Sequence, residues 1–238
     1  MVLADYSGIE VRTLAELSGD EQLIHDTIFG NVHGEGAALI QGIDPEEYMA
    51  VLADDGHKYY YRFKEWRNQA KVFTFRLTYG AGLGALSLSL KKGIKETQEA
   101  LEKWATRYPK AYNYRFNMQE HMNHDGFIPV CDGRTIYVPK PDRALPVAAN
   151  YPIQGAAASV MYRAVYHTRR EYIEHDVDAT LAASVHDELL SYSAEHDAER
   201  ALECKLRGME QGWLDIFPGT STDNLIESAI GKSWAAKP

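Results

Sequence analysis

Apolar and polar residues alternate along this chain mainly with the spacing of amphipathic helices, interrupted by short apolar runs. Helices are predicted for 9–17, 20–29, a short stretch around 33, 44–53, 58–79, 94–108, 111–123, 150–175 and 194–212. Strands are predicted for 1–5, 127–130, 135–138, 180–185, 189–193 and 224–230. Both kinds of element are therefore expected, with strands near the two ends of the chain and most helices between them.

One predicted long helix carries an informative order of side chains on one face. Arg67, Lys71, Phe75 and Tyr79 follow one another at intervals of four, and Gly80 comes directly after them. Because residues four apart are neighbours on a helix, two cations would lie at one end of this ridge and two rings at the other. That order suits a nucleoside triphosphate, since cations meet phosphates and rings meet a base. For the ridge taken alone, buried rings and solvated cations are the ordinary explanation.

Acidic side chains stand where predicted strands end, near opposite ends of the sequence. Asp5 closes the first strand, and Asp187 lies with Glu188 at the turn between two later strands. Two carboxylates on adjacent strand ends can hold a pair of Mg²⁺ ions, which prefer few protein carboxylates together with phosphates and water. Taken alone, each motif also has a structural explanation, with Asp5 capping a helix and Asp187 decorating a turn.

Composition and charge narrow the classes of protein only moderately. The chain has 238 residues, 45% of them hydrophobic, which suffices for one large domain or two packed ones. It has no apolar run long enough for a membrane helix and no signal-peptide pattern, so no membrane partner is expected. Cys131 and Cys204 form no disulfide framework, which fits a reducing cytoplasm. The net charge of −9 argues against a nucleic-acid partner, but a locally basic channel is compatible with it.

Taken together, the motifs resemble those of family A DNA polymerases, the class of bacterial DNA polymerase I and several phage replicases. The matching stretches come in the family's order: 5–12, 17–20 with His33, 67–80, 150–155, 185–188 and 230–234. The resemblance extends over essentially the whole chain. A match of several motifs in the right order is far more specific than any one of them.

The resemblance implies an α+β fold divided between two parts of a polymerase. Residues 1–20 and 141–238 would form the palm, an antiparallel sheet with helices, and residues 21–140 the mainly helical fingers. The thumb and the exonuclease domain, which precede the first palm motif in the family, are absent from this sequence. A split gene, a fragment of a longer protein and a degenerate remnant are three explanations. Because the metal, triphosphate and sugar-selecting positions are intact, we expect a split or truncated phage-type enzyme, with a separate N-terminal polymerase chain supplying thumb and exonuclease.

The resemblance also implies a metal site at the strand ends. Asp5 and Asp187 would bind two catalytic Mg²⁺ ions, with the backbone carbonyl of Tyr6 as a further ligand. Glu188 would support the metal site or the primer end. In this interpretation, the paired carboxylates bind the catalytic metal ions.

For the incoming nucleotide, the resemblance implies a site on the helix that carries cations and then rings. Arg67, Lys71 and His33 would hold the triphosphate. Lys71 would also protonate the departing pyrophosphate, acting as a catalytic general acid. Phe75 would stack against the sugar and base, and Tyr79 would pack beside the nascent pair and the template.

Further residues would select the sugar and contact the duplex. Glu10 would exclude a ribose 2′-hydroxyl and so select deoxynucleotides. Asn150, Gln154 and His186 would contact the minor groove of the primer–template, where acceptors common to all correct pairs report shape rather than sequence. Pro146 stands where the family usually has an arginine.

These assignments predict a template-directed DNA polymerase that extends a primer 3′-hydroxyl by a two-metal mechanism in the cytoplasm of a bacterial or phage-infected cell. Its expected partners are primer–template DNA and dNTPs. The alternative is a non-catalytic subunit that binds nucleotide or primer–template in a replication assembly, which would not need both Asp5 and Asp187. A metal-dependent nuclease is disfavoured because it would need neither the helical ridge nor a 2′-hydroxyl gate.

Overall fold

The computed structural model describes residues 1–138 and 144–236, and its elements follow the apolar pattern closely. The helices are α1 (Ile9–Ser18), α2 (Glu21–Ile28), α3 (Val32–Gln41), α4 (Pro45–Ala53), α5 (Tyr60–Thr78), α6 (Leu83–Leu90), α7 (Ile94–Arg107), α8 (Pro109–Asp125), α9 (Ala144–Glu174) and α10 (Ala198–Leu214). The strands are β1 (Val2–Tyr6), β2 (Phe127–Pro129), β3 (Thr135–Tyr137), β4 (Ala179–Val185), β5 (Glu188–Ser193) and β6 (Ile226–Ile230). Among the described residues, no helix has the length and apolar character needed to cross a membrane.

Contacts divide the chain into two compact units. Unit 1 comprises Met1–Glu10 and Gln154–Pro238, and unit 2 comprises Val11–Ile153. The palm and fingers boundaries expected from the sequence differ from this division, and the one at 140/141 falls outside the described residues. The assignment of palm and fingers to particular residues therefore stays a prediction.

Unit 1 is built on a four-stranded antiparallel sheet with the order β4-β5-β1-β6. β1 is central because its Val-Leu-Ala run is buried on both faces. The side chains of Val2, Ala201 and Cys204 belong to one buried cluster, so the face of β1 that carries Val2 meets α10. Successive side chains of a strand point to opposite faces, and Asp5 therefore projects from the other face.

Unit 2 is mainly helical, and its core is formed by large rings and aliphatic side chains, among them Trp104 and Phe73. Asp20 shows how the helices are tied together. One of its carboxylate oxygens accepts from the Leu23 amide at the start of α2, at 3.1 Å, as the sequence predicted for a cap. The other oxygen accepts from the amides of Lys110 and Ala111 at the start of α8, at 2.9 and 3.1 Å. A single buried carboxylate thus caps two helices.

Two stretches differ from the pattern-based prediction. α6 was not predicted, because the glycines at 82 and 84 suggested a break after α5. The helix is held by Arg76, whose Nη1 donates to the Ala85 carbonyl at 2.9 Å and to Ser89 Oγ at 3.0 Å. α9 begins at Ala144, six residues earlier than predicted, and continues through Pro152.

Candidate functional site

Three acidic side chains form one row across the sheet of unit 1. In the strand register, Asp5 of β1 lies opposite Glu188 of β5 on one side and opposite Glu227 of β6 on the other. Directly opposed residues of antiparallel strands project from the same face, so the three carboxylates share a face. Asp187 is held next to this row because its carbonyl accepts from the Tyr6 amide at 3.1 Å. The main-chain segments that carry Asp5 and Asp187 are therefore adjacent.

Neighbouring side chains hold the row in place. The Tyr6 hydroxyl donates to the Met209 carbonyl at 2.6 Å, and burial, followed by nearby Glu210, raises the pKa of that phenol. Glu188 is buried, and its Oε2 accepts from the indole Nε1 of Trp234 at 2.9 Å. The first contact fixes the end of β1, and the second fixes the carboxylate of Glu188.

Glu227 is a functional candidate that the sequence interpretation missed. It is exposed, and its Oε1 accepts from Ser7 Oγ at 3.1 Å. The pairing of β6 with β1 places it opposite Asp5, and that pairing joins residues more than 200 positions apart. The only local signal was a lone glutamate in a predicted strand, which carries little information by itself.

The donor set of this row fits magnesium, because every candidate side-chain ligand is a carboxylate oxygen. Among the described residues, the row is not a tight cage: Glu171, His175 and Cys204 are the one group of three potential ligands whose atoms all lie within 4.8 Å of one another. Carboxylates that are spaced more widely than this agree with a cation that keeps water and substrate phosphates among its ligands. Tyr6 follows Asp5 and donates its amide to the Asp187 carbonyl, and the role of its own carbonyl as a ligand stays a prediction.

The Glu171, His175 and Cys204 group already holds a positive charge from the protein. Arg207 Nε donates to Glu171 Oε2 at 2.8 Å, and Arg207 Nη2 donates to Cys204 Sγ at 3.1 Å. Burial raises the pKa of the Cys204 thiol, which disfavours the thiolate that a metal would need. This group is therefore better explained as an ion pair between α9 and α10.

The residues predicted to read the sugar and the duplex lie in several places. Glu10 and Gln154 are brought together, since Gln154 Nε2 donates to Glu10 Oε1. His186 is exposed and has a left-handed backbone, with φ of 56°, at the turn before Asp187. Asn150 lies on α9 four residues before Gln154, and its buried Oδ1 has no hydrogen-bond partner among the described residues. The duplex-contacting role of each stays a prediction.

In unit 2, α5 displays the predicted ridge. The Lys71 ammonium lies 5.9 Å from the centre of the Phe75 ring, and the Phe75 and Tyr79 ring centres are 6.4 Å apart. Arg67 Nε donates to Asn31 Oδ1 at 3.2 Å, and Asn31 also caps α3 through the Gly34 amide. Cations and rings therefore follow one another along this face in the predicted order.

His33 joins the same cluster from α3. Its ring centre is 5.7 Å from that of Phe75. Burial, with the charges of Arg67 and Lys71, lowers the pKa of His33 to about 3, so the imidazole is neutral at physiological pH. Its buried Nδ1 has no hydrogen-bond partner among the described residues. Two cations and an unsatisfied imidazole nitrogen beside them are what an anionic ligand needs.

The end of α5 is fixed by close backbone packing. Gly80 has a φ of +72°, and a Cβ there would lie 2.9 Å from both the N and the Cα of Pro146. Only glycine satisfies both conditions without strain. The packing fixes the helix end next to Tyr79, and it gives Pro146 a structural role in this chain.

Comparison with known proteins places this geometry in a family. The family model described as DNA polymerase family A matches residues 1–236. DNA polymerase I of Caldicellulosiruptor bescii is 31% identical over 245 residues, which cover 98% of this chain and 26% of that protein. The thermostable DNA polymerase I of Thermus thermophilus is 29% identical over 243 residues, which cover 98% of this chain and 27% of that protein.

A solved structure shares the fold. It is the POL domain of Pol1 from M. smegmatis in complex with DNA primer-template and dNTP, with a TM-score of 0.82 and 23% sequence identity. The match covers 99% of this chain and 40% of that one, and it confirms the expected α+β polymerase-domain fold. This chain spans about a quarter of the length of the curated relatives it matches. Since the family model covers nearly every residue, the resemblance seen in the ordered motifs is confirmed: the chain belongs to DNA polymerase family A.

Proposed function

We propose that this chain catalyses template-directed transfer of deoxynucleotides to a primer 3′-hydroxyl. The observation that carries the proposal is the carboxylate row of Asp5, Glu188 and Glu227, with Asp187 bonded through its backbone to Tyr6. Opposed like charges destabilise a sheet, so a row of this kind is expected where a cation binds. The transfer joins the primer O3′ to the α-phosphorus and breaks the bond from that phosphorus to the oxygen bridging to the β-phosphate.

Asp5 and Asp187 would hold the metal ions, with the Tyr6 carbonyl as a further ligand. Two bound Mg²⁺ ions would activate the primer hydroxyl and stabilise both the attacking and the leaving oxygens. The protein's own contribution is to fix Asp5 and Tyr6 at the end of a buried central strand and Asp187 in the two-residue turn between β4 and β5. The contact between Glu188 and Trp234 keeps a further carboxylate beside them. Sites on strands are held more precisely than sites on loops.

The ridge of α5 would bind the triphosphate. Arg67 and Lys71 supply positive charge, and Arg67 can meet a phosphate with two hydrogen bonds. His33 is neutral and adds a hydrogen bond from its buried ring. Lys71 would transfer a proton to the departing pyrophosphate, which balances the proton lost by the primer hydroxyl. Phe75 would pack against the sugar, with Tyr79 next to the base pair.

Sugar selection would depend on the Glu10 and Gln154 pair. A hydrogen bond to Gln154 holds the Glu10 side chain in one position. A fixed side chain excludes a 2′-hydroxyl better than a mobile one, because it cannot move aside without losing its partner. Gln154 would thereby act on the sugar through Glu10 in addition to its proposed contact with the duplex.

Primer extension by the purified chain tests the proposal. The reaction contains Mg²⁺, four dNTPs and a primer–template, and the variants are Asp187→Ala and, as a matched control, Asp55→Ala at an exposed site of unit 2. We expect extension by the wild type and by Asp55→Ala, and a loss of about 100- to 1,000-fold for Asp187→Ala, as for other groups that stabilise transition-state charge directly. Extension that survives Asp187→Ala would refute the mechanism.

A binding-only role is the second candidate, and the cation cluster favours it independently. His33, Arg67 and Lys71 all belong to unit 2 and would form an anion site that does not depend on Asp5 or Asp187. If the wild type binds dNTP in a filter assay and Lys71→Ala does not, while no condition supports extension, the chain is a nucleotide-binding subunit. Extension that requires Asp187 would eliminate that alternative.

We further propose that a second polypeptide, carrying thumb and exonuclease, binds at the outer edge of β4. β4 pairs only with β5 among the described residues, and its exposed residues, including Thr180, carry no charge. An unpaired, uncharged edge is a template for another strand. Gel filtration of the chain with the part of the Caldicellulosiruptor bescii enzyme outside the matched segment should give a complex that Thr180→Lys weakens. Equal binding by Thr180→Lys would refute the edge as the interface.

A further inference from the structure

A lysine is completely buried beneath the carboxylate row. Lys205 of α10 has no exposed surface, and its Nζ donates to the carbonyl of Val2 at 2.6 Å and to the carbonyl of Leu189 at 2.8 Å. The first carbonyl belongs to β1 and the second to β5. A buried ammonium is costly unless it is well bonded, so a lysine at this position calls for an explanation.

The two bonds join the strands that carry the candidate metal ligands. Val2 is three residues before Asp5, and Leu189 is two residues after Asp187. β1 and β5 are paired so that Asp5 lies opposite Glu188. The Tyr6 hydroxyl bonds to α10 and the Val2 side chain clusters with it, so Lys205 approaches from the face opposite the Asp5 side chain.

We propose that Lys205 is a positioning residue, which sets the separation of β1 and β5 and so the spacing of the Asp5 and Asp187 carboxylates. When protonated, its ammonium also places a positive charge on the side of the sheet opposite the acidic row. The inference rests on the proposed function, because it assumes that the row binds a divalent cation.

Mn²⁺ binding to the full chain, measured by electron paramagnetic resonance without DNA or nucleotide, tests the inference apart from catalysis. The key variant is Lys205→Met, which keeps an apolar stem of similar length and removes the ammonium. The matched control is Cys204→Ala, a neighbouring buried residue of α10 that packs in the cluster with Val2 but whose sulfur, among the described residues, bonds to neither strand. Loss of an outer contact that orients metal ligands typically weakens metal binding about 10- to 100-fold, and we expect that range for Lys205→Met alone.

Three further results decide between the explanations. Lys205→Arg, which keeps the charge and the hydrogen-bond donors, should bind Mn²⁺ more tightly than Lys205→Met. Amide hydrogen exchange over residues 2–5 and 188–190 should be faster in Lys205→Met than in Cys204→Ala. If Asp187→Asn loses Mn²⁺ binding but Lys205→Met binds Mn²⁺ as tightly as wild type, the positioning role is overturned. If Asp187→Asn binds as tightly as wild type, the proposed metal site itself is wrong, and Lys205 has nothing to position.

Discussion

Replacing Gly208 by alanine should loosen the support beneath the candidate metal site. A Cβ on Gly208 would lie 2.5 Å from the backbone N of Thr168 and 2.6 Å from its Cα. Non-bonded carbon atoms normally approach to about 3.5–4.0 Å, so one of the two helices must move by about 1 Å. Gly212, one turn later, meets the backbone of Ala164 in the same way. α9 and α10 therefore cross at backbone contact over two successive turns.

The size of the effect follows from two opposing terms. Overpacking a well-packed contact costs about 1–3 kcal/mol, and contact with backbone rather than with a flexible side chain places this site at the upper end. Alanine returns about 1 kcal/mol through its better helix propensity. The net loss for Gly208→Ala is therefore about 2 kcal/mol. Gly84→Ala in α6 is the matched control, because a Cβ there meets no atom of the described residues within 4 Å, and it should be neutral or stabilising by up to about 1 kcal/mol.

Urea denaturation followed by circular dichroism measures both variants against wild type. We expect a lower midpoint for Gly208→Ala and an unchanged or higher midpoint for Gly84→Ala. Gly208→Ala combined with Gly212→Ala should cost less than the sum of the two, because a single shift of α10 relieves both clashes. If Gly208→Ala is as stable as Gly84→Ala, the close helix crossing is wrong.

Two further predictions concern pH. The pKa of His33, lowered to about 3 by burial and then by the cations of α5, lies below its unfolded value, so stability should fall as pH falls from about 6.5 towards 3. In NMR, the chemical shifts of the His33 ring should remain those of a neutral imidazole down to pH 4. The His33→Asn variant should show a smaller fall of the urea midpoint in acid. A ring that protonates near pH 6 would contradict this prediction. Burial lowers the pKa of Lys205 to about 7 despite the opposing charge of Glu188, so the unfolded chain binds more protons between pH 7 and 10.5. Stability should therefore rise with pH across that window in the wild type and less in Lys205→Met, and equal slopes in urea denaturation would contradict this.

Much of the candidate site follows from local patterns. The order of the α5 ridge requires only helical spacing, and the structure places Lys71, Phe75 and Tyr79 along one face as expected. Asp5 was placed at a strand end by the short apolar run before it, and the pairing of β1 with β5 confirms that position. Such features are predictable because neighbours in sequence determine them.

Features that depend on distant pairing were not predictable. Glu227 joins the acidic row only through the register of β6 with β1, and no local spacing encodes that register. The second helix that Asp20 caps begins about 90 residues later. Lys205 lies in an amphipathic helix where a lysine normally predicts an exposed position, yet it is buried because its ammonium finds two strand carbonyls. In each case tertiary contact overrides the local signal.

The sheet of unit 1 combines two arrangements that are unfavourable separately. Its outer face places Asp5 between Glu188 and Glu227, and opposed carboxylates repel one another. Its inner face buries a lysine, which has a large desolvation cost. Together the two faces offset part of each cost, because the ammonium lies beneath the negative row. The remaining negative charge is available for a cation, and a cation that binds only the folded state would stabilise it further. The charge of Glu188 partly opposes the effect of burial on the pKa of Lys205, so the acidic face and the buried lysine interact electrostatically through the sheet.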